Sequence, residues 1–394
     1  MEKLYKTYHY LWAMGSTIFY RFPSRKIKVI AVTGTKGKSS TTEILNSILE
    51  EAGYKTAVSN TIRFKIGDES RDNLYKMSMP GRFFIQRFLW KAVNAKCDFV
   101  IMEMTSQGSA QYRHKFIDLD ALIFTNLSPE HIESHGSYEN YIEAKVDIAR
   151  QLSISKKKPR IIVVNRDDAE SKRFLAIPVD VQQTFGMGDT VPETSLLGEF
   201  NKYNVLGAVT LARTLGIDDN IINRAVLNLK EIRGRVQFVK CGQDFDVVVD
   251  YAHTTDSLEK LYKVFKKSKK ICVLGGTGGG RDTWKRKEMG KIADTYCDEI
   301  ILSDEDPYDE NPDKIVADVR EGIVNKTPKI IMDRREAIRE AMSKAQKGDV
   351  VLIKGKGTDP YIMGPRGTKT PWDDARIARE ELEKIRSSSQ NTSH

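Results

Sequence analysis

The sequence predicts an α/β protein built on mostly parallel sheets, and two patterns indicate this fold class. Short runs rich in β-branched and aliphatic residues alternate with segments whose apolar residues recur at helical spacing. This alternation is typical of strand–helix–strand units, in which helices cover both faces of a buried sheet. Nearly every apolar run also ends in polar residues or glycine, at the edge where open α/β sheets bind ligands. The predicted strands are 28–32, 99–102, 121–124, 161–164, 247–249, 271–274, 300–302 and 350–353.

The length of the chain and the order of these runs predict two domains. A chain of 394 residues is expected to form two or three domains that each bury a core. A helical stretch ends near Arg233-Gly234-Arg235 and a new β-rich run follows, so we place the boundary there. The predicted parts are an N-terminal segment (1–27), a central domain (28–232), a C-terminal domain (233–386) and a disordered polar tail (387–394).

The net charge of +9 favours an anionic partner. The basic run Lys266–Lys270 would suit nucleic acid, but no basic motif interleaved with aromatic residues accompanies it. A polyanionic small molecule such as a nucleotide explains part of the charge, and solvated surfaces explain the rest. We therefore expect no nucleic-acid partner.

The cysteines and the N-terminal segment bear on the location of the protein. Four cysteines lie far apart without a C-x-x-C pair, which predicts free thiols in a reducing compartment such as the cytoplasm. The aromatic segment 8–20 is too short to span a bilayer and lacks a signal-peptide cleavage pattern. We expect a helix packed on the first domain, while the basic residues after it leave contact with a membrane surface open.

The stretch Gly34-Thr35-Lys36-Gly37-Lys38-Ser39-Ser40 predicts a phosphate-binding loop. It follows the apolar run that begins at Lys28 and precedes an amphipathic helix. A glycine turn between a strand and a helix N-terminus points backbone N–H groups into one concavity. Lys38 is expected along the β- and γ-phosphates, and the Ser39 hydroxyl suits Mg²⁺. The first glycine comes two residues later than in the full Walker A pattern, so an ordinary strand–helix turn is the alternative.

Four other residues could carry chemistry, and the first of them follows a predicted strand. Glu103 follows the run 99–102, where a carboxylate could hold Mg²⁺ opposite the phosphate loop. His131 and His135 have the i,i+4 spacing of some metal sites, but the pattern is not H-E-x-x-H, so a zinc hydrolase is only an alternative. Lys145, taken alone, would be interpreted as a surface lysine on a helix.

A second glycine-rich loop follows the predicted strand 271–274. It begins at Gly276 and places Arg281, Lys285 and Arg286 where their side chains could clamp a carboxylate or a phosphate.

Taken together, these motifs resemble the Mur ligases, and most closely the MurE branch, which adds the third amino acid of the peptidoglycan stem. The resemblance runs from about residue 28 to about residue 383 and follows the order of motifs in that family. It is carried by GTKGKS (34–39), EMTSQG (103–108), TNLSPEH (125–131), HGSYENY (135–141), AK (144–145), NRDD (165–168), LGEFNKYN (197–204), RGR (233–235), DYAHTTD (250–256), GGGRDTWKR (278–286) and GKG (355–357).

The resemblance implies an ATP-dependent amide ligase with a P-loop-type central ATPase domain and a Rossmann-like C-terminal domain. It implies ATP and Mg²⁺ as cofactors, and a UDP-sugar peptide or similar carboxylate and an amino acid as substrates. The reaction would pass through an acyl phosphate in peptidoglycan precursor synthesis. A cytoplasmic monomer without an integral membrane span is expected.

The resemblance also implies roles for individual residues. Lys38, Glu103, His131 and Lys145 would form the catalytic group, with Lys145 carbamylated. Ser39, Glu103 and His131 would be the metal ligands. ATP would contact Gly34, Thr35, Lys36, Gly37, Lys38, Ser39, Ser40, Asn201, Arg235, Asp250 and His253. Substrates would contact Ser78, Thr105, Gln111, Arg113, Asp306, Pro307, Tyr308, Gly355 and Asp359, besides Arg281 and Arg286 of the second glycine loop.

Three departures from the family pattern bear on the substrate. The N-terminal segment before the first predicted strand (1–27) is too short for the uridine-binding domain that MurE enzymes carry. A substrate-contacting Thr-Thr pair is replaced by Ser78-Met79, and the arginine that reads diaminopimelate is replaced by Tyr308, which argues against that amino acid. A polyglutamate or folate-type ligase of the same superfamily and a nucleotide-binding protein without catalysis are the alternatives.

Overall fold

The chain forms two compact units, Met1–Lys230 and Glu231–His394, each built on its own largely parallel sheet. We analysed a computed structural model, which describes residues 2–130, 132–280 and 283–391. The predicted α/β class is confirmed. The candidate residues His131 and Arg281 lie outside the described residues. No helix in the described part of the chain is both long and apolar enough to cross a membrane.

The described residues of the first unit contain nine α-helices and eight strands. In chain order they are α1 (Glu2–Phe19), β1 (Lys28–Thr33), α2 (Lys38–Glu51), β2 (Thr56–Ser59), β3 (Arg63–Ile66), β4 (Glu69–Asp72), α3 (Arg82–Asn94), β5 (Phe99–Glu103), α4 (Ser106–Ala110), β6 (Ala121–Phe124), α5 (Ile132–His135), α6 (Tyr138–Ser153), β7 (Ile161–Asn165), α7 (Ser171–Leu175), β8 (Val181–Phe185), α8 (Glu199–Thr214) and α9 (Asp219–Asn228).

The central strand of the first sheet leads directly into the predicted phosphate loop. The strand order is β4-β3-β2-β5-β1-β6-β7-β8, so β1 lies between β5 and β6 and is parallel to both. Val29 to Val32 of β1 are fully buried, because helices cover both faces of this strand. The register pairs Val32 with Glu103, and Thr33 with Phe124. The ends of three neighbouring strands therefore meet at one edge.

The described residues of the second unit contain five α-helices and eight strands. They are β9 (Gln237–Phe238), β10 (Asp246–Asp250), α10 (Thr255–Val264), β11 (Lys270–Leu274), α11 (Trp284–Tyr296), β12 (Glu299–Leu302), α12 (Pro312–Arg320), β13 (Lys329–Ile330), α13 (Arg334–Lys344), β14 (Val350–Lys354), β15 (Tyr361–Met363), β16 (Lys369–Pro371) and α14 (Asp374–Asn391). The main sheet has the order β13-β12-β11-β14-β10-β9, and only β9 runs antiparallel.

The expectation that all four cysteines are free is wrong. The structure joins Cys272 of β11 to Cys297 in a disulfide, and only Cys97 and Cys241 are free among the described cysteines. Cysteine spacing along the chain did not reveal that β11 and β12 lie side by side, which places these residues together.

A buried ion pair ties two helices of the second unit together. The guanidinium of Arg334 donates two hydrogen bonds to the Asp374 carboxylate, at 2.9 and 2.8 Å. Both side chains are essentially inaccessible to solvent. Arg334 also donates to the carbonyl oxygen of Lys354 at the end of β14. The pair therefore connects α13, α14 and the strand end that carries Gly355.

We expect Arg334→Ala to lower the free energy of unfolding by about 3 kcal/mol, because it leaves the buried Asp374 carboxylate without its partner. Urea unfolding of the full chain followed by far-UV circular dichroism measures the change. Arg339→Ala is the matched control, since the Arg339–Glu336 pair on the same helix is about half exposed. An equal midpoint for the two variants would contradict a stabilising role for the buried pair.

Candidate functional site

The end of β6 fixes the turn between β1 and α2. The Thr125 hydroxyl donates to the carbonyl oxygen of Lys36 at 2.7 Å. The Asn126 side chain accepts from the Lys36 N–H at 2.9 Å and donates to its carbonyl oxygen at 3.0 Å. A Cβ on Gly34 would lie 1.9 Å from the Thr125 hydroxyl oxygen, so only glycine fits there. The turn is therefore shaped before any ligand binds.

Gly37 lets α8 approach the start of α2. Its φ of 81° lies in the left-handed region, and a Cβ there would lie 2.1 Å from Oδ1 of Asn204. The Asn204 amide donates to Asn201 Oδ1 at 3.0 Å, and the Asn201 amide donates to the Leu197 carbonyl oxygen at 2.7 Å. Asn204, which sequence reasoning missed, thus contacts the loop more closely than the predicted Asn201. Two asparagines three residues apart on one helix face were the available signal.

The loop side chains form a basic cluster with defined partners. Lys38 Nζ donates to the Thr35 carbonyl oxygen at 2.9 Å and lies 3.9 Å from the Glu103 carboxylate. Lys36 forms an ion pair with Glu130 at 2.8 Å. The Thr35 hydroxyl lies 2.8 Å from the Tyr141 hydroxyl of α6. Two lysine ammonium groups and the N-terminal N–H groups of α2 together suit a triphosphate.

The carboxylate of Glu103 lies beside the predicted magnesium-binding serine. The Ser39 hydroxyl donates to Glu103 at 2.7 Å. Thr61, which follows β2, donates to the same carboxylate from its backbone N–H and its hydroxyl, at 3.0 Å each. Glu103 is 3% exposed. Sequence reasoning predicted Ser39 and Glu103 but missed Thr61, because β2 was not predicted.

This oxygen-rich cluster fits Mg²⁺. A hydroxyl and a carboxylate are the ligands Mg²⁺ prefers, and Mg²⁺ commonly takes only one or two protein ligands besides water and phosphates. Within the described ranges, no group of three or more His, Cys, Asp or Glu side chains is arranged to hold a metal ion. His135 contacts the Ser106 hydroxyl at 3.1 Å. The described residues thus offer no support for a zinc site.

Lys145 is buried against the phosphate loop and is not a surface lysine. Its Nζ donates to the Gly34 carbonyl oxygen at 2.6 Å and lies 4.9 Å from the ring centroid of Tyr141. Burial, and secondarily the charge of Lys38, hold the pKa of Lys145 well below its ordinary value. A neutral amine in this position is a nucleophile.

Four predicted substrate-binding residues lie close together around Met79. Gln111 Oε1 accepts from Arg113 Nη2 at 2.6 Å, and Arg113 Nη1 donates to the Met79 carbonyl oxygen. The Thr105 N–H approaches the Met79 sulfur at 3.4 Å, and its hydroxyl caps α4 by accepting from Gly108. The Ser78 hydroxyl is buried and has no hydrogen-bond partner in the described structure.

Two basic residues that sequence reasoning missed join this group. Arg82, at the start of α3, donates to the Gln111 carbonyl oxygen at 2.5 Å and contacts Nδ1 of His9 from α1. Burial lowers the pKa of Arg82, and burial together with Arg82 lowers that of Arg113. Burial and these two arginines also lower the pKa of His9. Among the described residues, no carboxylate pairs with either arginine, so the cluster is suited to bind an anion.

In the second unit, the structure gathers three predicted residues around Tyr251. The Arg235 guanidinium lies 4.3 Å from the Tyr251 ring centroid, and the His253 ring packs edge-on at 4.8 Å. Asp250 accepts from the N–H groups of Val236 and Ala252, at 2.8 and 2.7 Å. Burial raises the pKa of Asp250. The arrangement offers a cation, an imidazole and an aromatic face.

A buried lysine organises the loops predicted to select the amino acid. Lys356 Nζ donates to Asp306 at 2.8 Å and to Asp359 at 3.2 Å. Asp306 also accepts from the Met363 N–H at 2.8 Å. A Cβ on Gly355 would lie 2.3 Å from a Glu305 carboxylate oxygen. Asp306 and Asp359 are thus brought together by ion pairs with Lys356. Sequence reasoning did not predict this role for Lys356, although it is the middle residue of the Gly-Lys-Gly motif.

Pro307 and Tyr308 lie on the same loop. The N–H of Tyr308 donates to the Met363 carbonyl oxygen at 2.9 Å. Its φ of 53° is in the left-handed region. The loop after β12 is therefore joined to β15.

Arg286 requires a correction. Its guanidinium is buried and donates to Glu310 at 2.6 and 2.7 Å, to Asp318 at 2.8 Å and to the Thr277 carbonyl oxygen at 3.0 Å. These two carboxylates neutralise the charge inside the fold. Arg286 therefore supports the glycine-rich loop, and the expected role as an open clamp for a substrate anion is wrong.

Comparison with known proteins agrees with this architecture. The family model for the Mur ligase middle domain matches residues 32–190, and the model for the Mur ligase, glutamate ligase domain matches residues 234–357. The chain is 34% identical to a UDP-N-acetylmuramoyl-L-alanyl-D-glutamate--2,6-diaminopimelate ligase from Syntrophomonas wolfei, over 94% of this chain and 81% of that protein.

Two solved structures illustrate the similarity of the fold. One is of a UDP-N-acetylmuramoyl-L-alanyl-D-glutamate--2,6-diaminopimelate ligase, with a TM-score of 0.61, 28% identity and coverage of 91% of this chain and 79% of that one. The other is a Mycobacterium tuberculosis folylpolyglutamate synthase, with a TM-score of 0.70, 13% identity and coverage of 88% and 92%. The latter likeness concerns the fold alone.

The fold and the loop after β1 define a protein with a P-loop-type central unit. The matched regions and the curated relative then place it more closely: the chain belongs to the Mur ligase family.

We expect Gly37→Ala to abolish binding of a nucleoside triphosphate, because the new methyl group would displace Asn204 from the loop. Gly53→Ala is the matched control. Gly53 follows the other end of α2, has a similar φ of 85° and has open space around its Cα. Gly53→Ala therefore introduces only the strain of a left-handed backbone conformation, which costs about 1 kcal/mol. Isothermal titration with a non-hydrolysable ATP analogue measures both, and equal affinities would contradict the role of the Gly37–Asn204 contact.

Proposed function

We propose that the protein is an ATP-dependent ligase that joins an amino acid to the carboxylate of a UDP-MurNAc-peptide-like acceptor, forming ADP and phosphate, in the cytoplasm. The observation that carries the proposal is the cluster at the end of β1. There Ser39 and Lys38 meet the buried Glu103, and the amine of Lys145 contacts the loop backbone. The activity for which the Syntrophomonas wolfei relative is named supports the acceptor class.

The phosphate loop is proposed to hold the ATP triphosphate. Lys36, Lys38 and the N–H groups at the start of α2 would balance its charge, and Ser39 with Glu103 would hold Mg²⁺. When bound, Mg²⁺ neutralises charge that develops on the transferred phosphoryl group. The loop residues position the γ-phosphoryl group so that an incoming carboxylate attacks in line with the leaving oxygen.

Lys145 is proposed to become a carbamate. Its uncharged amine attacks carbon dioxide, a C–N bond forms and one proton leaves, which converts a neutral side chain into an anion. The depressed pKa supports this step, because a protonated lysine has no lone pair to donate. The carbamate would lie near Lys38 and offer another oxygen donor to the metal site.

The acceptor is proposed to bind at the cluster around Met79. Arg113 and Arg82 provide two guanidinium groups without carboxylate partners among the described residues, and His9 completes the group. A carboxylate or phosphate of the acceptor would relieve the repulsion between the two arginines.

The proposed reaction has two steps. An acceptor carboxylate oxygen bonds to the γ-phosphorus of ATP as the bond to ADP breaks, which gives an acyl phosphate. The neutral amine of the amino acid then attacks the acyl carbon, loses a proton, and inorganic phosphate leaves. Asp306, Asp359 and the loop at Tyr308 are assigned to selecting that amino acid.

The test is phosphate release with Mg-ATP, UDP-MurNAc-dipeptide and a panel of amino acids, with each component omitted in turn. Release that requires all three is expected, with a product whose mass equals the UDP-MurNAc-dipeptide plus the amino acid less one water. Because Tyr308 stands where the family has the arginine that reads diaminopimelate, we expect a different amino acid to give the highest rate. Release with a folate-type carboxylate but not with the UDP-sugar peptide would assign the protein to the polyglutamate-type reaction. No release with any substrate would refute the ligase proposal.

We expect Lys145→Ala to lower the turnover rate by about 100-fold, because the metal site loses its supporting anion. Small carboxylates such as formate should restore part of the rate. In the wild-type protein, ¹³C-bicarbonate should produce a carbamate carbon signal that the variant lacks. Arg150→Ala, an exposed substitution on the same helix, is the control. A wild-type rate in Lys145→Ala would remove this residue from the mechanism.

We expect Arg82→Ala to raise the KM for the acceptor by about 10-fold, with little change in kcat, because one charged hydrogen bond to the substrate is lost. The KM for ATP should not change. Arg71→Ala, on the exposed strand β4, serves as the control. A fall in kcat without a change in the acceptor KM would show that Arg82 does not bind the acceptor.

A further inference from the structure

Helix α1 turns its small and polar residues toward the protein and its large apolar residues outward. The inward residues are His9, Ala13, Ser16 and Thr17, each no more than 6% exposed. The hydroxyls of Ser16 and Thr17 are satisfied by the Ala13 carbonyl oxygen. The outward stripe, each member 45 to 70% exposed, consists of Tyr5, Tyr8, Leu11, Trp12, Ile18 and Phe19. This is the reverse of the usual orientation of a surface helix.

The apolar surface continues from α1 onto α3. Trp12 and Phe19 pack against Phe83 with ring centroids 5.3 and 6.1 Å apart, and Tyr20 lies 6.2 Å from Trp90. Phe83 and Trp90 are themselves 37% and 43% exposed. We call the outward stripe of α1 together with Phe83 and Trp90 the aromatic surface. A contiguous exposed apolar area of this kind marks an interaction site.

The segments that form this surface carry no acidic residue beyond Glu2 at the start of α1. Residues 3–42 contain eight Lys and Arg residues and residues 74–97 contain five, without one Asp or Glu in either. Arg87 and Lys91 are exposed on α3 beside Phe83 and Trp90, and Arg21 and Lys26 are exposed just after α1. None of these four side chains forms an ion pair within the described part of the chain.

We propose that the aromatic surface docks on an anionic lipid bilayer, with α1 lying in the plane of the membrane interface. Tryptophan and tyrosine favour the headgroup region, and the surrounding Lys and Arg residues would contact lipid phosphates. A second copy of the chain is disfavoured as the occupant, because two like-charged surfaces would meet. The finding that no described helix can span a membrane is compatible with a helix that lies on it.

The same helix also reaches the proposed acceptor site. His9 contacts Arg82 on the inward face of α1, and its ring lies 4.0 Å from the Tyr5 ring and 5.4 Å from the Tyr8 ring of the outward stripe. The docking surface and the anion-binding cluster thus lie on adjacent faces of one helix. The proposal does not depend on the ligase reaction, because vesicle binding is measured without nucleotide or acceptor.

The first experiment measures co-sedimentation of the full-length protein with phosphatidylcholine vesicles that contain either no or about 30 mol% phosphatidylglycerol. We expect binding to the anionic vesicles only, and a decrease in binding with added salt. Arg87→Glu/Lys91→Glu should weaken binding by about 10-fold or more. Lys266→Glu/Lys267→Glu is the matched control, because it lowers the net charge by the same amount at two exposed residues of the second unit. This variant should bind the vesicles like wild type. Equal weakening by both pairs would overturn a specific surface.

A second experiment uses conservative variants that keep the fold. Brominated phosphatidylglycerol should quench the tryptophan fluorescence of wild type and of Trp284→Phe, because Trp284 is exposed in the second unit. The double variant Trp12→Phe/Trp90→Phe should lose this quenching. Quenching that persists in the double variant would overturn the proposal. A second outcome would also overturn it. In that outcome the wild-type protein does not bind vesicles but forms a stable dimer in analytical ultracentrifugation, and the dimer dissociates in Arg87→Glu/Lys91→Glu.

Discussion

The contact between the loop after β1 and the end of β6 is the constraint on which the first unit depends. Thr125 and Asn126 hold both backbone polar groups of Lys36, and Gly34 lies so close to Thr125 that no side chain fits. Because this contact uses backbone groups, the loop keeps its shape whatever its side chains bind. The N–H groups of α2 are therefore already directed toward a phosphate, and no ordering is needed when the ligand arrives.

Burial then determines the charges around the loop. Lys145 loses its proton readily because it lies in the interior beside the positive Lys38. Glu103 stays surrounded by hydrogen-bond donors, since Ser39 and Thr61 both point at its carboxylate. The result is a site that combines cations for phosphates, oxygen ligands for a metal and an amine whose pKa is lowered. These are the groups that a carboxylate-activating ligase needs at one place.

The sequence predicted the parts of this site that follow from strand order, and it missed those that depend on tertiary contacts. Ser39 and Glu103 were predictable because both follow buried parallel strands, whose carboxyl ends share one edge. Thr61 was not, because β2 is only four residues long and no apolar run marked it. Asn204, Arg82 and His9 come from helices whose packing no local pattern specifies.

The two errors have the same origin. Arg286 was expected to clamp a carboxylate or a phosphate because its partners Glu310 and Asp318 lie more than twenty residues away in sequence. Cys272 and Cys297 were expected to be free because β11, which carries Cys272, and β12, which follows Cys297, were not known to be neighbours. In both cases the missing information was which elements of the sheet lie side by side, and composition and spacing along the chain do not contain it.

The central claim is that the site near Glu103 transfers a phosphoryl group from ATP to a carboxylate. The most direct measurement uses an acceptor whose reacting carboxylate carries ¹⁸O and analyses the released phosphate by mass spectrometry. With both carboxylate oxygens labelled, the account predicts one ¹⁸O atom in each phosphate released. The carboxylate oxygen that bonded to the γ-phosphorus leaves with the phosphate when the amine attacks the acyl carbon. Phosphate that contains oxygen from solvent water instead would show simple ATP hydrolysis and would contradict the account.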